Sequence, residues 1–135
     1  MQVNEFLEIK NSVGGSVELT GYLVLVDNNL VLIDSSEINH FKNAKRVDVD
    51  KQELKYVLRD MLLPLGGESS IFHRARLFGV IESVDIPVIR IQKLQVQERG
   101  NADWLDVDLS PKHIVHCKVK YMPDEGFDFF KEMGD

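Results

Sequence analysis

At 135 residues, with 44% hydrophobic and 28% charged side chains, the chain is long enough to bury one core without metals or disulfides, and 1–135 reads as a single domain. The longest strongly apolar run, Tyr22 to Val26, is far too short to span a membrane, and the opening MQVNEFLEIK has neither the basic nor the apolar part of a secretory signal. A lone cysteine, Cys117, excludes an intrachain disulfide, so the expectation is a cytoplasmic protein with a free thiol. The net charge of −6 is uneven: residues 1–41 carry one Lys against six acids, 42–99 eleven bases against eight acids, and 100–135 four Lys against eight acids. That balance works against a phosphate-bearing ligand, while the central basic excess keeps nucleic acid open as an alternative.

Val3, Phe6 and Leu7 at helical spacing predict a short leading helix, ended by Gly14-Gly15. VELTGYLVLVDNNLVLID, residues 17–34, then predicts a β-hairpin. Val17, Leu19, Leu23 and Leu25 share one face, Asp27-Asn28-Asn29 supplies the turn, and Leu30 to Ile33 returns. Gly21 in mid-strand marks a bulge or bend. From Tyr22 onward both faces are apolar, as in a strand running from a rim into a core.

Residues 34–44 read as a polar connection and KRVDV (45–49) as a third strand. A helix at about 50–63 follows. Asp50 and Glu53 spell a D-x-x-E capping box, and Leu54, Val57, Leu58, Met61 and Leu62 form an apolar stripe that Pro64 and Gly66-Gly67 stop. Ile71 to Glu82 predicts a long strand, and a turn at Val84–Pro87 leads into Val88 to Glu98. The apolar parity there changes between Ile91 and Leu94, which predicts a bulge near Gln92-Lys93. Leu19, Gly21, Val26 and Asp27 recur at an offset of 58 residues as Leu77, Gly79, Val84 and Asp85, which we read as a shared bending requirement in two strand–turn–strand units. Beyond Gly100, alternation in Leu105–Leu109 and Val115–Tyr121 predicts additional strands over 99–122, with Ser110-Pro111 as an alternative helix start. An acidic aromatic tail, 123–135, ends the sequence.

Up to residue 98 the order is strand, strand, strand, helix, strand, strand, with a glycine-bent first strand and the helix between strands three and four. That order, over 16–98, resembles the OB-fold barrel. The fold class expected is therefore mainly β, an OB-fold-like barrel with one core helix and a short N-terminal helix, and an α+β roll is the competing description. The resemblance implies a ligand surface on strands two and three, flanked by the first and last hairpin loops. Single-strand binders combine stacking aromatics with a basic groove, and strand two, Leu30–Ile33, has no aromatic.

Enzyme signatures are weak. Glu37 and His40 spell E-x-x-H without the second copy that a di-iron site needs. His113 and Cys117 on a strand would lie about 13 Å apart, too far for one zinc. Asp103, Asp106 and Asp108 have no nucleophile or oxyanion donor beside them. No catalytic, metal or cofactor-binding residue is therefore expected. The first reading is a non-enzymatic, acidic module of inhibitor, immunity or adaptor type. It would engage a protein partner with a basic surface through Trp104, Asp106 and Asp108 and through Phe127, Phe129 and Phe130 of the tail. The alternative is an OB-type single-stranded nucleic-acid binder using Lys42, Lys45, Arg46, Arg74, Arg76 and Arg90, with Tyr22, Phe41, Phe72 and Phe78 as stacking candidates.

Overall fold

The computed structural model describes residues 1–9, 12–62, 71–98 and 100–121. The chain begins with helix α1 (Val3–Glu8), whose Val3 and Phe6 are buried as their spacing predicts. β1 (Ser16–Val26) and β2 (Asn29–Ile33) form the expected hairpin, with Val26 opposite Asn29. The two turn residues, Asp27 and Asn28, have φ of 51° and 65°, the left-handed pair that a two-residue turn between twisted strands demands. A 3₁₀ helix (Ser35–His40) occupies the connection that polarity alone marks as irregular. β3 (Arg46–Val49), α2 (Leu54–Met61), β4 (Phe72–Ser83) and β5 (Val88–Val96) follow in the expected order, and β6 (Leu105–Asp106) and α3 (Pro111–Tyr121) complete the described chain.

Five strands form a ring. β3, β2, β1, β4 and β5 are successive antiparallel neighbours, and a short parallel pairing of Asp48–Val49 with Val88–Ile89 joins β5 back to β3. β6 adds to β5 outside the ring. The molecule is mainly β, and no helix among the described residues is long and apolar enough to cross a membrane. Two close approaches shape the ring. A Cβ on Gly21 would collide with the Ile33 carbonyl oxygen and with Val3, and one on Gly79 with the Arg90 carbonyl oxygen. The register slips between Phe78 and Gly79, leaving Gln92 as the extra residue where the parity change predicts a bulge, and again at Glu82.

Both faces of the hairpin are apolar because each covers a different core. Leu19, Leu23, Leu25, Leu30 and Leu32 point into the ring and pack with α1, α2 and α3. Val24, Val26, Val31 and Ile33 point outward into a second cluster, covered by Tyr22, Phe41, Ala44 and Phe72. The 3₁₀ segment thus lies over the outside of the hairpin, with the Phe41 and Phe72 rings edge to face at 5.5 Å.

Three expectations are corrected. The capping box of α2 does not form, because Asp50 Oδ1 accepts instead from the Ile91 amide at 2.9 Å and Glu53 faces Lys118. The helix opens on i→i+3 bonds from Leu54, Lys55 and Tyr56, and the Gln52 amide pairs with both the N–H and C=O of Leu30. The described part of 99–122, residues 100–121, is not a run of strands. β6 is two residues long, and 111–121 is helical, the alternative that Ser110-Pro111 offers. Asp108 accepts from the Ser110 amide at 2.9 Å, and Ile114, Cys117 and Tyr121, at i, i+3 and i+7, turn toward the core while Val115 and Val119 stay exposed. Finally, the described residues contain four helices rather than two, the 3₁₀ helix and α3 being the additions. The tail expectation lies outside the described residues.

Candidate functional site

The outward face of β4 carries Arg74 and Arg76, because the odd residues His73, Ala75 and Leu77 turn inward and are buried. Register sets their neighbours: Tyr22 lies opposite Arg74, while Thr20 on β1 and Gln95 on β5 flank Arg76, and Asp106 on β6 lies opposite Gln95. The result is a polar line across four strands. Glu18 Oε1 is 3.8 Å from Arg76 Nε, Arg76 Nη1 donates to Gln95 Oε1 at 3.5 Å, and Gln95 Nε2 donates to Asp106 Oδ1 at 2.9 Å. Over this line lies the half-buried ring of Trp104, 4.4 Å from the Arg76 guanidinium and 5.8 Å from that of Arg74. The Arg76–Glu18 pair contributes little by itself, since long, solvated ion pairs are worth about 0–1 kcal/mol. The cation–π stack adds about 0.5–1 kcal/mol and, more to the point, fixes where the indole faces.

Beside the stack opens a cleft of about 230 Å³, walled by Tyr22, Ile38 and Phe72 and edged by Arg74, Gln97 and Asn101. Gln97 is held in turn, its backbone N–H donating to the Arg74 carbonyl at 2.9 Å and its side-chain amide to the Ala102 carbonyl at 2.8 Å. An aromatic floor edged by amides, the Arg74 guanidinium, His73 and Glu98 suits a flat group that ends in hydrogen-bonding atoms.

No family model, curated protein or solved structure matches this chain.

The structure unites two residue sets that the sequence separates. Trp104 and Asp106, expected to face a protein, share one patch with Arg74 and Arg76, expected to face nucleic acid. Other candidates lie elsewhere. Asp108 is engaged at the start of α3, where the Ser110 amide and hydroxyl hold its carboxyl below the usual range. Arg90 sits opposite Val80, at the other end of the β4–β5 pair from Arg74. Arg46 borders a separate cleft with Asp27 and Asp48, and Lys42 and Lys45 lie in the connection ahead of it. Tyr22, Phe41 and Phe72 pack on one another over the second core, and Phe78 lies under Lys93. Phe127, Phe129 and Phe130 are outside the described residues.

On helix α3, His113 Nε2 comes within 3.6 Å of Cys117 Sγ, and the rings of His113 and His116 are 6.5 Å apart. Burial, with the Asp60 charge, raises the Cys117 thiol above its ordinary value, which makes it a poor thiolate and a poor ligand. Among the described residues no group of three or more His, Cys, Asp or Glu side chains is placed to hold a metal ion. Glu18, Gln95, Gln97 and Asn101 are the site residues that sequence reasoning missed. For Glu18 and Gln95 the only signal is strand parity, which the bulge at Gln92 resets between Arg90 and Gln95, while Gln97 and Asn101 follow the end of β5 and carry no periodic signal.

Proposed function

We propose that this chain is a non-enzymatic binding module on an OB-type scaffold, and that it engages a protein partner through the Trp104 patch. The scaffold reading is supported by the order of the strand ring, by the parallel β3–β5 junction, and by the position of α2 between β3 and β4. The observation that carries the functional reading is the Trp104–Arg76 stack, bordered by Glu18, Gln95 and Asp106. A half-buried Trp on Arg, ringed by both signs of charge and amides, has the composition of a protein-binding hot spot. A phosphate backbone asks for unopposed positive charge, and Arg76 already faces Glu18. The outer face of β2, where an OB-type strand binder would stack bases, is occupied by Phe41, Ala44 and Phe72.

Affinity capture with the wild type and with Trp104→Ala, followed by titration of the captured protein, tests this reading. Binding should weaken by at least about thirtyfold in the variant, the hot-spot range. The alternative, a single-stranded nucleic-acid binder, draws on Arg74 and Arg76 beside an aromatic ring. Salt-sensitive micromolar binding of single-stranded DNA or RNA, lost in Arg74→Ala/Arg76→Ala, would replace the first reading with the second.

A further inference from the structure

Four of the seven large hydrophobic side chains left exposed among the described residues gather at one end of the ring: Ile9 (45% exposed), Val13 (63%), Val84 (41%) and Ile86 (69%). Backbone bonds assemble this end. Gly14 N–H donates to the Ile81 carbonyl at 2.8 Å and Ile81 N–H to the Gly15 carbonyl at 2.9 Å, which sets Val13 beside the end of β4, just before the Val84–Pro87 turn. Ile9 and Val84 line one small cleft together with Leu7 and Pro87. Ile86 walls a second cleft, of about 470 Å³, with Asp27 and Asp48. This end lies at the opposite extreme of the β4–β5 pair from Arg74 and Gln97.

The charges around it are mainly acidic. In the described residues of 7–9, 12–15 and 81–88, the charged side chains are Glu8, Glu82 and Asp85, all exposed. Across Ile86, Asp27 and Asp48 face Arg46, and exposed Arg90 lies on β5 opposite Val80, so acids outnumber bases five to two among these described residues. None of these five acids is in an ion pair among the described residues. Exposed aliphatic side chains in a cluster mark a contact surface rather than a core, since Val3 and Phe6 already supply what α1 contributes to folding.

We infer that this end is a docking surface for a cationic amphipathic segment of a protein partner, its apolar stripe covering Ile9, Val84 and Ile86 and its Lys or Arg side chains meeting the acids. The charge pattern chooses among occupants. A second copy would set acid against acid, and an anionic membrane or a nucleic acid would be repelled. An uncharged apolar segment would desolvate the carboxylates with no return. The surface is separate from the Trp104 patch and does not rest on the function proposed for it. If both hold, the chain is a two-sided adaptor.

The test titrates the isotope-labelled full chain with a synthetic Leu/Lys peptide of about 18 residues, five helical turns, and follows backbone amide shifts. Shifts should map to Ile9, Val13 and 81–88 and spare 104–106. The affinity should fall with added salt, and by at least about tenfold in both Val84→Ser/Ile86→Ser and Glu82→Lys/Asp85→Lys, variants at exposed positions whose spectra also report folding. A Leu/Glu peptide of the same pattern should not bind. Equal binding of the Leu/Glu peptide, shifts centred on Trp104, attachment to anionic vesicles, or no shift at millimolar peptide would each overturn the inference. A negative result here with Trp104-dependent capture intact removes this surface alone.

Discussion

Asp34 is the polar residue on which two local elements meet. Its carboxylate, only 7% exposed, accepts from the Asn4 amide of α1 at 2.8 Å, and from the Ser36 amide at 3.0 Å and hydroxyl at 2.6 Å in the 3₁₀ helix. Burial pushes its acidity down, yet the bonds from the Ser36 side chain, the Asn4 backbone and the Ser36 backbone together outweigh that push and hold its carboxyl below the ordinary value. Its contribution to stability is therefore fully present above the ordinary carboxylate range and is lost as pH falls through its lowered folded value. Asp34→Asn should cost about 1–3 kcal/mol near neutral pH. That penalty should shrink in acid, below the ordinary carboxylate value, as the wild-type carboxylate protonates. Urea unfolding of both proteins at neutral and acid pH checks this, and a constant penalty would mean that shape rather than charge matters at this position.

At the scale of elements, α3 is held to α2 by two kinds of contact of unequal worth. Lys120 Nζ donates to Asp60 Oδ1 at 2.6 Å, Tyr121 Oη donates to the same oxygen at 3.1 Å, and Lys118 reaches Glu53 at 3.2 Å. The Lys120 bond, followed by that of Tyr121, holds the Asp60 carboxyl below its usual value, and Lys120 is raised by the same bond. These groups are largely solvated, so Asp60→Ala should cost less than about 1 kcal/mol and less still in high salt. Ile114 is buried between α3 and the ring core, and Ile114→Ala should cost about 2–4 kcal/mol regardless of salt. Chemical denaturation of both variants at two ionic strengths ranks them, and the reverse order would make charge the main tie. Legibility at this scale follows the same division. α2 is readable because its apolar stripe matches one period only. The 111–121 segment is ambiguous because Val115, Cys117, Val119 and Tyr121 alternate while Ile114, Cys117 and Tyr121 fit a helix, and the tie is broken by packing on α2.

For the molecule as a whole, the decisive feature is a hairpin with a core on each side. The inner cluster is closed by α1, α2 and α3, and the outer one by Phe41, Ala44, Tyr22 and Phe72. Removing the outer cover should uncover an apolar strand face without opening the ring. Phe41→Ala is therefore expected to lower stability by about 1–3 kcal/mol, toward the lower end of large-to-small changes because the residue is only half-buried, and to raise binding of an apolar dye by the still-folded protein. A loss of all cooperative unfolding would show instead that the outer cluster is required for the ring. The same cover bears on function. With β2 covered, the two surfaces proposed for recognition, the Trp104 patch and the acidic apolar end, lie at opposite extremes of the β4–β5 pair.

Local chemistry by itself determined the leading helix, the Asp27-Asn28 turn, the amphipathic stripe of α2, the bulge at Gln92 and the succession of strands and helix along residues 16–98, because each is written in a repeat or a dihedral preference that spans a few neighbouring residues. Tertiary structure alone decided that the 3₁₀ segment covers the hairpin and that Asp50 bonds to β5 instead of capping α2. It alone decided that Trp104 lies on Arg76, and that Ile9 and Val84 line one cleft. Those are juxtapositions between segments many residues apart, set by register across the ring and by which of two apolar faces finds a partner, and no periodicity within a single segment encodes them.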